Sequence, residues 1–381
     1  MRYYLQHFFD PDFDHTKRKP DENAIKKDSL DLFNLGYVQN VIKGQILAQI
    51  VPIETLDTEP DPRFVLETID FPAGQNTYID PNYPQYLLAA INGYVFYNEG
   101  RITVKALLNV RQDVSFHTGN INFVGDMAIF GAVRSGFSIL ANNVRISGLV
   151  EGGIAHSTRN MLIDGGVRGN TSDHCLVDSG GKLMMSFLER AEARAKGNIV
   201  INKYCLYSTV YAGNNMLVKE HLYGGKVNVF SSLYVGKQLG NKAGIPTQIS
   251  IGYDPLIVRR MEKQESFISS LTQAISHLKA ITRDLPPDAN ATTARLQQLI
   301  TQRDNLIQQR REFFKKLSDD EMTIKNCRLI VPGIVYPGVE ISIGKLFRPI
   351  EKIYENVVFH IAHHEVVSEP ITAVQPTMGE K

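Results

Sequence analysis

The chain has 381 residues, 43% of them hydrophobic and 21% charged, with a formal net charge of +1. That length leaves room for two or three domains, the composition is that of an ordinary folded chain, and the near-zero charge excludes an overall nucleic-acid signature. No apolar run is long enough for a signal peptide or for the roughly 18 residues of a membrane span, and three cysteines, few and odd in number, fit a reducing cytoplasm. In chain order, residues 1–28 read as polar and charged after an aromatic patch at Tyr3-Tyr4 and Phe8-Phe9. Residues 37–41 and 44–50 predict paired strands with Lys43-Gly44 at the turn, and a Pro-rich acidic stretch runs from Glu54 to Pro62. Gly93–Tyr97 and Arg101–Val104 predict a hairpin about Asn98-Glu99-Gly100. Together these make a compact N-terminal β domain, 1–111, that covers the first coil of a repetitive region.

From Phe123 to Gly240 the sequence repeats about every 17 residues. One column is Met127, Val144, Met161, Lys182, Ile199, Met216 and Leu233. Two residues on stand Ile129, Ile146, Ile163, Met184, Ile201, Val218 and Val235; six residues on stand Val133, Val150, Val167, Leu188, Cys205, Leu222 and Leu239. These two columns are apolar throughout. Turn pairs such as Gly125-Asp126, Asn142-Asn143, Arg159-Asn160, Gly180-Gly181, Gly197-Asn198 and Asn214-Asn215 precede each repeat. Tolerance of left-handed backbone accounts for the Asn and Gly there. Such a period is too short for helical repeats and suits one coil of a β-solenoid, stabilised by stacking on its neighbours. The longer interval from 161 to 182 holds Gly169-Asn170-Thr171-Ser172-Asp173, a four-residue loop insertion. Seventeen residues do not divide into hexads, which favours a right-handed parallel β-helix with unequal sides.

Asp254-Pro255 predicts a helix start. Met261, Ile268, Leu271, Ile275 and Leu278 form its apolar stripe, and Leu285-Pro286-Pro287-Asp288 ends it. A second stripe uses Leu296, Leu299, Leu306, Phe313 and Leu317, so the pair predicts an antiparallel coiled-coil hairpin inserted between coils, about 40 Å long. Strand character returns at Leu329–Gly333, and Val339, Ile341 and Ile343 alternate like a coil strand. The expected layout is therefore mainly β: N-terminal domain 1–111, β-helix 112–253, arm 254–321, returning β-helix and C-terminal strands 322–366, and a disordered tail 367–381.

Several segments resemble the flagellar assembly protein A (FapA) family of bacterial proteins. His117-Thr118-Gly119-Asn120-Ile121-Asn122-Phe123-Val124-Gly125-Asp126 is similar to that family's signature at the start of its solenoid. The Gly93–Val104 hairpin, Gly197-Asn198-Ile199-Val200 and Val335–Gly344 resemble its preceding hairpin, its coil motif and its segment after the coiled coil. The resemblance spans roughly residues 36–361. It implies a cytoplasmic β-helix protein of flagellar assembly or polar placement, with no enzymatic motif. The longer coil around Thr171–Cys175 and the Asn or Ser at several coil glycines depart from the family pattern.

β-Helices include polysaccharide lyases and hydrolases, so Glu151, Asp164, Asp173, Asp178 and Glu189 matter as carboxylates. They fall at different offsets in different coils, unlike a glycosidase pair facing across a groove, and read as solvated turn residues. His360, His363, His364 and Glu365 have the chemistry of metal ligands. On a strand His360 and His364 share a face while His363 points away, and an exposed strand end is the favoured reading. Lys43-Gly44 is similar to a biotinyl or lipoyl carrier turn but lacks the flanking residues. Cys205, in an inward column, reads as a small buried hydrophobe. The arm holds eleven basic residues between Pro255 and Ser318 against six acids, without interleaved aromatic platforms. No catalytic, cofactor or metal residue is assigned, and no cofactor is expected. The expected activity is a non-catalytic cytoplasmic scaffold, at the cell pole or elsewhere, whose partners are other proteins or further copies of itself and which binds no nucleic acid. A carbohydrate-active or acyl-transfer enzyme, and a nucleic-acid or membrane-surface adaptor using the basic arm, are the alternatives.

Overall fold

A computed structural model describes residues 2–14, 33, 35–170, 175–282, 290–317 and 324–371. Among these the chain is mainly β: its largest sheet has 25 strands and is for the most part parallel, fitting a β-solenoid, and there are two α-helices. The chain divides into two compact units, one of residues 1–196 and 200–202, the other of 197–199 and 203–381.

The first unit begins with a strand that the polar character of residues 1–28 does not predict. Tyr3–His7 pairs antiparallel with Ile46–Pro52, Leu5 opposite Ile50, and lies inside a five-stranded sheet. Only Leu5 in that strand is fully buried, so its apolar signal is one residue wide. Residues 37–41 and 44–50 do not form the hairpin expected of them. Asn40–Val41 pairs with Gly93–Asn98, and Ile46–Pro52 with Tyr3–His7 and Tyr86–Ala89. The hairpin of Gly93–Asn98 with Arg101–Lys105 is present, turning through Glu99 and Gly100 at positive φ. Leu5, Leu47, Leu87, Val95, Ile102 and Val104 share one core.

At the start of the solenoid, buried Thr118 accepts the Ser115 N–H on its hydroxyl at 3.0 Å, and Gly119 turns at φ +64. Asn120 Oδ1 then accepts the N–H of Ser138 at 2.8 Å. Parallel pairing follows the apolar columns: Met127 opposite Val144, Val144 opposite Met161, Ile129 opposite Ile146, Ile146 opposite Ile163. Ile146 and Ile163 have no solvent exposure. One coil departs from the expected column. Met161 pairs with Leu183 and Ile163 with Met185, while Val167 pairs with Leu188 as anticipated. Lys182 and Met184 are thus displaced by their C-terminal neighbours, because Leu183 and Met185 can be buried at no electrostatic cost and Lys182 cannot. Thr171, Ser172 and Asp173 of the insertion lie outside the described residues.

The turn pairs have a different physical basis from the one expected. Left-handed backbone is not their feature: neither Asn142, Asn143, Asn160, Asn198, Asn214 and Asn215 nor Gly125, Gly180, Gly181 and Gly197 have positive φ. Instead the side chains form ladders. Asp126 Oδ1 accepts from Asn143 N, Asn143 Oδ1 from Asn160 N, and Asn160 Oδ1 from Lys182 N, at 3.0, 3.2 and 2.9 Å. The second unit repeats the device, Asn198 Oδ1 accepting from Asn215 N and Asn215 Oδ1 from Ser232 N. Each bond contributes about 0.5–1.5 kcal/mol. Gly180 is needed for close approach, since a Cβ there would run into the carbonyl oxygen of Thr158.

In the second unit Thr247–Ile251 pairs in parallel with Val339–Ile343, and Ser232–Val235 with Arg328–Val335. The helices α1 (Pro255–Thr282) and α2 (Asn290–Leu317) are inserted between these partners. Asp254 Oδ1 accepts the Leu256 N–H at 2.8 Å, capping α1. Leu271, Ile275 and Leu299 bury one another, with Leu278, Leu296, Ile300 and Leu306 against them, and Arg310 pairs with Glu265. The Leu285–Asp288 turn lies outside the described residues. After Val339–Ile343 the pairing becomes antiparallel: with Leu346–Pro349, then between Arg328–Val335 and Tyr354–Ala362, and finally Glu365–Pro370. Antiparallel strands use up the edge that an open solenoid end exposes. The last strand runs to Pro370, past residue 367 where a tail was expected to begin; residues 372–381 lie outside the described ones.

Candidate functional site

The sequence nominates five carboxylates, and four of them are described. Each is tied to a base one coil away or alongside it. Glu151 pairs with Arg134 at 2.9 Å and Asp164 with Arg145 at 3.1 Å. Glu189 reaches Arg168 and Arg190, both at 3.2 Å. Asp178 lies 3.7 Å from His156 and 3.6 Å from Arg194, whose guanidinium also takes Glu192 at 2.6 Å. Strand register explains the arrangement: Glu151 stands opposite Arg168, Arg168 opposite Glu189, and Asp178 between His156 and Arg194. Alternating charges at one register position form a ladder along the outer face. Asp113, at its start, is held below the usual carboxylate range by the Ala132 N–H and the Arg134 guanidinium. The exposed pairs among these, such as Glu151 with Arg134 and Asp164 with Arg145, are worth about 0–1 kcal/mol each. Sequence reasoning missed the ladder, although Arg134, Glu151, Arg168 and Glu189 each follow the third apolar column by one residue. Asp173 lies outside the described residues.

The histidines do not share a strand face. His363 and His364, both at positive φ, are the two-residue turn between Tyr354–Ala362 and Glu365–Pro370, as the pairing of Ala362 with Glu365 requires. His360 lies in the strand, its Nε2 3.5 Å from Glu369 and its buried Nδ1 without a hydrogen-bond partner. Burial, then the charge of Arg328, lowers its pKa. Among the described residues no group of three or more His, Cys, Asp or Glu is placed to hold a metal ion. Lys43 sits in a turn pinned elsewhere, its N–H donated to Asn92 Oδ1 at 2.8 Å, with Gly44 at φ +84. His7, enclosed by Phe9, Phe64 and Tyr97, is lowered to about 4 by burial first and by Arg63 second.

Cys175, Cys205 and Cys327 are all buried. Burial pushes Cys205 up to about 12 and the other two to about 11. None is poised as a thiolate nucleophile. The folded protein should therefore leave all three unreacted with a thiol reagent at pH 8, and release three equivalents once denatured. A fast-reacting equivalent in the native state would contradict this burial.

Near the start of α1, Glu262 accepts the Tyr211 hydroxyl at 2.6 Å and pairs with Lys226. Both partners lie on strands of the second unit, Tyr204–Ala212 and His221–Val229. Nothing in the repeat singles them out, because they point outward between inward columns. Further along, Lys279, Arg295 and Arg311 are exposed, Arg303 pairs with Asp304 at 2.7 Å and Arg295 with Gln298 at 3.0 Å. No described helix is long and apolar enough to cross a membrane.

With coils, ladders and inserted helices in view, the comparison with known families is decisive for the solenoid. The model of the Flagellar Assembly Protein A (FapA) beta solenoid domain matches residues 106–366. The chain belongs to the FapA family. Its matched solenoid starts just after the Gly93–Lys105 hairpin, later than the resemblance read from residue 36, and includes the inserted helices. No curated protein and no solved structure matches.

Proposed function

We propose that this chain is a non-catalytic scaffold of flagellar assembly or polar placement, acting in the cytoplasm through contacts with other proteins. In this reading the solenoid is a right-handed β-helix with coils of about 17 residues, the helices are an antiparallel coiled-coil arm, and domain boundaries fall near 111, 253 and 321. The observation that carries it is the ion pairing of the outer-face carboxylates. Glu151, Asp164, Asp178 and Glu189, the carboxylates an enzyme on this fold would use, are each held by Arg or His neighbours. A glycosidase needs two carboxylates facing one another across a groove, and these are instead turned to bases on the same outer face. Membership of the FapA family supports the flagellar setting, and broad outer faces with a projecting arm suit multi-protein assembly. Deleting the gene in a flagellated host should reduce motility or change flagellar number or position, with restoration by the intact gene. Unaltered flagella in the deletion strain, counted by electron microscopy, would overturn the reading.

A further inference from the structure

Beneath the start of α1, within the second unit, lies a cleft of about 330 Å³. Its floor is the outward face of three successive parallel strands, where Asn228, Ser250 and Ser342 stand in one row and Lys226, Gln248 and Glu340 in the row beside it. One wall is α1, through Val258 and Glu262; the rim carries Phe347, 59% exposed. Asn228 is only 2% exposed, and its Oδ1 has no hydrogen-bond partner. The amide cannot be turned round to mend this, because Nδ2 donates to the Val210 carbonyl at 3.4 Å and an oxygen there would face an oxygen. A buried acceptor left unpaired costs about 1–3 kcal/mol, so it invites a donor.

The charges point the same way. The cleft's cation, Lys226, is already neutralised by Glu262. Glu340 has no ion pair among the described residues and accepts only a neutral hydrogen bond, from Gln248 Nε2 at 3.1 Å. The cleft thus carries one net negative charge, an orphaned acceptor and an exposed ring suited to cation–π contact. The volume admits one side-chain-sized group and is at the small end for ligand pockets.

We propose that this cleft binds a guanidinium or primary ammonium group, held by Glu340 and Asn228 Oδ1 and flanked by Phe347. The group comes either from a small organic cation or from an arginine or lysine side chain of a partner protein. The inference stands on the cleft's own chemistry and does not depend on the flagellar reading.

Isothermal titration of the full-length protein with agmatine, and separately with an acetylated and amidated Gly-Arg-Gly peptide, tests it. Binding of either probe is expected, weakened at least about tenfold by Glu340→Gln through loss of a charge-assisted contact, and also weakened by raised salt. Agmatine binding without peptide binding would identify a free cation as the ligand, and tighter peptide binding a partner's side chain. Glu340→Gln replaces a partly exposed group by its isostere, and its thermal midpoint should match the parent. Asn228→Ser, a second variant, should weaken binding too. Absence of binding by both probes at millimolar concentration, or equal binding by the parent and Glu340→Gln, would overturn the proposal.

Discussion

Leu183→Ala should destabilise the protein by about 2–5 kcal/mol, while Lys182→Ala should stay within about 0.5 kcal/mol. Leu183 has no solvent exposure and sits opposite Met161, whereas the Lys182 side chain is exposed and contributes only its backbone N–H to the ladder from Asn160. Truncating Leu183 removes buried apolar surface and leaves a cavity that stacked coils cannot close, since each is fixed by its neighbours. Urea unfolding of the two variants separates the registers. Equal losses, or a larger loss at Lys182, would restore the uninterrupted column that a simple repeat predicts.

Replacing residues 256–320 by a short Gly/Ser linker should abolish the helical circular dichroism signal and leave the β signal in place. The reason is that the helices spend their apolar surface on each other: Leu271, Ile275 and Leu299 form a core of their own. What the rest of the second unit loses is the contact of Glu262 with Tyr211 and Lys226, polar groups that water can satisfy, together with the cover over the Tyr211 ring, a small area beside the solenoid core. The strands flanking the insertion, Thr247–Ile251 and Arg328–Val335, are each held by a preceding strand, and Gly252 before the helices lies against Ile324 and Cys327 after them, so the ends of the linker stay close. Aggregation of the deletion at low protein concentration would show that the helices cover apolar surface of the solenoid.

The columns of Ile and Val are legible because an inward solenoid position tolerates little but aliphatic side chains, so the period survives in the letters themselves. Lys182 is the warning sign in that pattern, a charged residue in a buried column. Five extra residues by Leu183 and one fewer before Leu188 cannot be apportioned from spacing alone. The strand at Tyr3–His7 is hidden because one buried leucine and flanking aromatics give no clear alternation. The turn asparagines are legible as turn residues but not in their physical role. Their frequency in left-handed turns competes with a second use, side-chain acceptance of a neighbouring coil's N–H, and the two differ only in the folded chain. His363 and His364 read as strand residues but make the turn, an inversion that short apolar runs on both sides conceal. Least legible is the contact at the start of α1, since Glu262, Tyr211 and Lys226 meet across distant segments with no common spacing.

In a non-catalytic scaffold the outer-face carboxylates stabilise the fold modestly and carry no chemistry. The most direct test is complementation of a deletion strain with Asp164→Asn, Asp178→Asn and Glu189→Gln, each singly, with flagella counted per cell and protein abundance measured alongside. Asp164 and Glu189 share their charge with exposed bases, and the buried Arg194 beside Asp178 keeps Glu192 as a partner, so neutralisation should cost no more than about 1 kcal/mol. All three variants should restore flagellar number and position to the level of the unaltered gene. A single variant that failed to restore them at unchanged abundance and stability would contradict the scaffold account and assign that carboxylate a catalytic role.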